Sequence, residues 1–225
     1  MTRTASKDDS QIQQEVLMEL KWDTRVKAPE VGVSVDKGVV TLTGTVDSYG
    51  KKVAAEEAAH RVRGVLDVAN DLEVRLTSGT LRTDTEIAHA VRHALAWSLL
   101  IPDERIHSTV SGGLVTLEGE VDSIADRTEA ANAIRHLAGV VGVMNRIAVV
   151  PPKIAASDVR LAIMEALERR ADREAERIKV VVEDGTVTLV GRVKSWRERR
   201  AILGAVGHAP GVHAVDDQLR VDPYF

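Results

Sequence analysis

One seven-residue pattern limits what this chain can fold into, because it is written three times. It reads Gly38-Val-Val-Thr-Leu-Thr-Gly44, Gly113-Leu-Val-Thr-Leu-Glu-Gly119 and Gly185-Thr-Val-Thr-Leu-Val-Gly191. The copies begin at residues 38, 113 and 185, and a Gly-Val pair follows each second glycine by 20 residues (Gly64-Val65, Gly139-Val140, Gly211-Val212). Glycines matched at fixed spacing define an internal repeat. In a chain of 225 residues, that predicts three small domains, 1–79, 80–153 and 154–225, in place of one large core.

Within each copy the residues alternate. Val40, Leu42, Gly44 and Val46 fall on one face of a strand, and Thr41, Thr43 and Thr45 on the other. Val115, Leu117, Gly119 and Val121 repeat the pattern, as do Val187, Leu189, Gly191 and Val193. The first glycine of each copy follows Asp36-Lys37, Ser111-Gly112 or Glu183-Asp184 and reads as a hairpin turn with positive φ. The second glycine falls in the buried row, which predicts a helix laid closely across it. Small residues on the following segment (Ala55, Ala58 and Ala59; Ala130 and Ala133) fit that helix.

The remaining elements follow from periodicity. A first helix starts at Asp9 or Ser10, at Thr83 or Asp84, and at Ser157 or Asp158. It buries Ile12, Val16 and Leu20, then Ile87, Val91 and Leu95, then Val159, Ile163 and Leu167. A strand precedes each glycine pattern, with Ser108 interrupting its buried row in the second repeat, so that edge is expected to be the least regular. Ser48, Ser123 and Ser195 open a second helix, and a last strand spans 65–74, 140–149 and 212–221. A strand reached through a helix pairs in parallel. The predicted class is α+β: three tandem αββαβ domains, each a three-stranded mixed sheet with two helices on one face. Short linkers, the second containing Pro151-Pro152, predict three lobes in a row.

Composition excludes several classes of function. There is no cysteine, so disulfides and thiolate metal sites are absent. Aromatics make up 3%, which leaves the cores to aliphatic residues. The net charge of -4 argues against nucleic acid as a partner. No run of about 20 apolar residues occurs, so no transmembrane helix is expected. The polar start, Met1 to Ser10, lacks a secretory signal. The expected location is the cytoplasm, or the periplasm if an export signal has been removed.

The glycine pattern, the Val-x-Ser after it, the Gly-Val and the later Asn70 and Asn145 resemble the BON domain, named for bacterial osmotically inducible and nodulation proteins. The resemblance spans about 9–76, 83–150 and 157–222, with Asp217 replacing the asparagine in the third copy. It implies a non-catalytic, stress-associated module proposed to bind phospholipid or other envelope components. Many members are periplasmic or lipid-anchored and carry two copies. One cytoplasmic relative is linked to potassium sensing, which leaves an ion-responsive or protein-interaction scaffold as the alternative.

No catalytic, cofactor or metal constellation appears in the sequence. His89 and His93 stand four apart on a helix, without the further ligands zinc needs. His136 and His208 occupy matched positions. Two patches are candidate contacts for an anionic phospholipid surface or another protein. One is Arg192, Lys194, Trp196, Arg197, Arg199 and Arg200, where cations surround a tryptophan. Trp196 matches Tyr49 and Ile124, a position that can equally cover a sheet edge. The other patch is Trp97, Leu99, Leu100 and Ile101 with Arg105. Trp97 matches Trp22, which favours a packing role for both. The sequence leaves the oligomeric state open.

Overall fold

The computed structural model describes residues 7–26, 31–97, 103–170 and 178–222, the side chains of 167–170 excepted. Leu99, Leu100 and Ile101 lie outside the described residues, as does the side chain of Leu167. Each repeat folds as αββαβ. The first contains α1 (Asp9–Trp22), β1 (Val31–Asp36), β2 (Val39–Val46), α2 (Tyr49–Arg61) and β3 (Asp67–Val74). The second contains α3 (Asp84–Trp97), β4 (Ile106–Ser111), β5 (Leu114–Val121), α4 (Ile124–Ile134), β6 (Gly142–Asn145) and β7 (Ala148–Val149). The third contains α5 (Ala156–Arg170), β8 (Lys179–Glu183), β9 (Thr186–Val193), α6 (Trp196–Gly207) and β10 (Ala214–Val221).

The strand carrying the glycine pattern is central in every sheet. It pairs antiparallel with the strand before it and parallel with the one after the second helix. Its alternating residues are the core: Val40, Leu42, Val115, Leu117, Val187 and Leu189 have no exposed surface. Both central residues of each hairpin turn have positive φ, for example Gly112 at 57° and Gly113 at 79°, as a two-residue type I′ turn requires. A Cβ on Gly113 would stand 2.6 Å from the Gly139 carbonyl oxygen. The turn glycine and the Gly-Val pair thus lie against each other, which explains why they repeat together.

Several local expectations are corrected. The second glycine is not covered by a helix: Gly44 is exposed, and a Cβ on Gly119 would collide with the Arg105 carbonyl, where the chain enters β4. Close approach of the neighbouring strand, at a φ of 132°, is what excludes a side chain there. The first helix is capped by Asp8, whose side chain accepts from the Gln11 N–H. Asp9 instead accepts the N–H groups of Lys37 and Gly38 across the domain, at 2.7 and 2.9 Å. Asp84 does the same for Gly112 and Gly113, while Thr83 and Glu86 form the capping box. In the third repeat the helix begins at Ala156, ahead of Ser157 and Asp158. The irregular edge of the second sheet is its last strand, broken into β6 and β7, whereas β4 pairs along its whole length despite Ser108. At the break the Asn145 side chain leaves the ladder to bond the Arg127 carbonyl and the Ile147 N–H.

The lobes are not in a row; they close a cycle. Tyr49, first residue of α2, packs on the core of the second domain. Ile124, first residue of α4, packs on the core of the third. Trp196, first residue of α6, returns to the first domain, where it stacks on His60 at 4.3 Å and donates its indole N–H to the Val65 carbonyl. The matched position of the next domain lies beside each knob: His60 stacks on Trp196, Gly207 lies against Ile124, and Arg135 is near enough to Tyr49 for its charge to act on the phenol. A heterologous contact repeated with closure gives a ring, here within one chain.

Charges reinforce the first of these seams. Glu19, Arg61, Asp23, Arg25, Glu57 and Arg135 form an unbroken chain of ion pairs from 2.6 to 3.0 Å, crossing from the first domain into the second. Hydrogen bonding from Arg25, against the opposing effect of burial and with help from Arg61, holds the Asp23 carboxyl well below the usual range. Burial pushes Glu57 up, but Arg25 and Arg135 more than offset it and the net displacement is downward. A carboxyl depressed in the folded state stabilises above its unfolded value of about 4, and loses that contribution as pH falls through the folded value. Loss of these carboxylate pairs is therefore expected to show as a fall in melting temperature that steepens below about pH 4. Glu57→Gln should blunt that fall, and an acid transition unchanged in the variant would remove Glu57 from the account. Gly113→Ala should cost more than about 2 kcal/mol, from left-handed strain plus the collision with Gly139, read as an early transition of the second domain in urea.

Candidate membrane-facing surface

Trp22 and Trp97 end the first helices of the first and second domains, and they are 77% and 79% exposed. This corrects the packing role that their matched positions suggested. The reason is angular: each stands two residues beyond the last buried leucine, Leu20 or Leu95, hence about 200° around the helix from it. One turn earlier on the same face lie Met18, 56% exposed, and His93, whose ring is 5.8 Å from that of Trp97. His89, Arg92, His93, Ala96 and Trp97 line a shallow depression along α3. Lys21 and Arg92 are exposed beside the two tryptophans. Arg105, assigned to the same patch from sequence, pairs with Asp122 at 2.9 Å.

The third-domain patch is divided by the fold. Trp196 is turned into the seam with the first domain, so it does not stand among solvent-exposed cations. Arg199 lies over the Trp196 ring at 4.6 Å and binds Asp217 at 2.8 Å. That pair explains why the third copy carries Asp217: Asn70 and Asn145 bind the backbone carbonyls of Lys52 and Arg127, at the positions matching Arg199, whereas here the guanidinium itself takes the carboxylate. Arg192 meets Asp222 at 3.6 Å, and the Lys194 N–H donates to Glu198. Arg197 and Arg200 remain exposed on α6.

Among the described residues no helix is long and apolar enough to cross a membrane, and no three acidic or imidazole side chains gather as a metal site would need. His89 and His93 are exposed. Burial, then the opposing and reinforcing charges of Glu56 and Arg200, lowers the affinity of His60 for a proton.

The αββαβ unit and the glycine pattern recur three times, the asparagine bridge twice, and the BON domain model matches residues 8–75, 83–151 and 155–223. The chain belongs to the BON domain family. It is 30% identical over 142 residues to the osmotically-inducible protein Y of Escherichia coli (strain K12), covering 61% of this chain and 71% of that protein. An uncharacterized protein in the gshII 5′ region of Anaplasma centrale is 28% identical over 120 residues, 52% of this chain and 80% of its own length. Among solved structures, CdsD, a structural protein of the type III secretion system of Chlamydia trachomatis, matches with a TM-score of 0.28 and 15% identity, covering 93% of this chain and 91% of that one.

The three tryptophans of this BON-family chain occupy opposite environments, and that is directly measurable. In single-tryptophan variants, Trp22 and Trp97 should emit at long wavelength and be quenched readily by iodide. Trp196 should emit at shorter wavelength and resist quenching. Equal quenching of all three would contradict the closed arrangement.

Proposed function

We propose that the chain is a non-enzymatic binding module for anionic phospholipid surfaces, engaged through Trp22 and Trp97. The observation that carries this reading is the matched pair of exposed tryptophans, with Met18 and His93 one turn away. Indole rings favour the headgroup level of a bilayer, where one edge is apolar and the other wet. Nearby cations add attraction to anionic lipid.

The cycle of domains bears on the same reading. A cycle of matched seams relates the domains by similar rotations, and this reading requires that Trp22 and Trp97 reach one surface together. Arg192, Lys194, Arg197 and Arg200 are all exposed in the third-domain patch, and Arg197 and Arg200, which share α6, form the second candidate contact. Similarity to the osmotically-inducible protein of E. coli supports a setting in osmotic or envelope stress.

Co-sedimentation with vesicles tests the proposal. Binding is expected to anionic vesicles at low salt, weakening as ionic strength rises, and little to neutral vesicles. Trp22→Ala/Trp97→Ala should reduce it about tenfold or more, since two aromatic rings lose their burial. Arg197→Glu/Arg200→Glu shows whether the third domain also touches the surface. No pelleting at low salt, or full binding by the tryptophan double variant, would sink this reading.

A further inference from the structure

The seam between the first and third domains contains an unsatisfied group. Among the described residues, His60 Nε2 is a buried side-chain nitrogen with no hydrogen-bond partner. The imidazole sits on α2 with its face against Trp196, at 4.3 Å and 26° between ring planes. A buried polar atom without a partner is uncommon and calls for an explanation. Here the explanation is positional: the ring must lie flat against the indole to seat the knob, and that leaves Nε2 facing no acceptor.

We propose that the His60–Trp196 contact is an acid-labile latch, which holds the three domains in a closed ring when His60 is neutral and releases the third domain from the first when it is protonated. Neutral imidazole stacks on indole while its nitrogen remains merely unsatisfied. A second proton would place an N–H on that buried nitrogen and a full positive charge in the seam. The charged groups facing His60 are Glu56 on its own helix, Asp67 at the start of β3, and Arg199 and Arg200 on α6. The two carboxylates favour the imidazolium and the two guanidinium groups oppose it. Burial opposes it further, so the balance favours the neutral ring.

The direction of the switch follows from this balance. A histidine whose affinity for protons is lower in the closed state than in the open one stabilises closure above its open-state value of about 6.5. That contribution is lost progressively as pH falls below about 6.5. The released element is α6 with its first residue, Trp196, because the first and second domains remain tied by the Glu57–Arg135 pair. That pair titrates in the carboxylate range, well below the histidine window, so the two events separate on the pH axis.

The test uses the full chain with Trp22→Phe and Trp97→Phe, leaving Trp196 as its single tryptophan. Emission wavelength and small-angle scattering are followed between pH 8 and 5, with far-UV circular dichroism as the control for unfolding. The expected result is a red shift and a larger radius of gyration below pH 6.5, with secondary structure retained. His60→Phe keeps an aromatic face against Trp196 and cannot be protonated, so it should stay closed across the range. Arg200→Gln removes one opposing charge and should move the transition to lower pH. A wild-type ring that keeps its blue emission and its radius down to pH 5 would overturn the proposal. So would an identical transition in His60→Phe.

Discussion

Each domain depends on one close approach, between the glycine that turns the hairpin and the Gly-Val pair that follows the second helix. It is the contact that Gly113 makes with the Gly139 carbonyl. It fixes where the third strand enters beside the central one, and hence the parallel register that puts valine and leucine of the pattern inside. Asp9 and Asp84 then tie the same turn to the start of the first helix. Helix, hairpin and crossover meet at a single point of small residues and backbone. A side chain at that point would push the elements apart and loosen the core they enclose.

The same logic shows what was legible in the sequence. Alternation and matched glycines report burial within a repeat, and the order of elements, the pairing directions and the aliphatic cores could all be read from them. The serine caps of the second helices could be read as well, and they are seen at Ser48, Ser123 and Ser195. Contacts between repeats were not legible. Tyr49, Ile124 and Trp196 share a position and no common chemistry, so periodicity marks them as odd without naming what they touch. The residues beside them, Arg135, Gly207 and His60, vary just as freely.

The tryptophans illustrate the two ways a residue type misleads. Trp22 and Trp97 recur at one position, and recurrence looks like packing; the count of two residues from the last buried leucine would have placed them outward. Trp196 stands among arginines, and that neighbourhood looks like a surface site. Only the fold reveals that Arg199 is engaged by Asp217 and that the indole faces another domain. Arg197 and Arg200 are the cations of α6 left exposed, Arg200 on the seam side where it faces His60.

The three seams are directional, each running from the first residue of one second helix to a socket on the next domain. A chain shortened to two repeats would therefore own one filled seam, one knob with no socket and one socket with no knob. Those loose ends belong to opposite ends of one molecule and are unlike in shape: Ile124 is seated against Gly207, whereas the His60 face is filled by an indole. The third repeat supplies both missing halves, Gly207 beneath Ile124 and Trp196 against His60, so the ring depends on all three copies standing in their order.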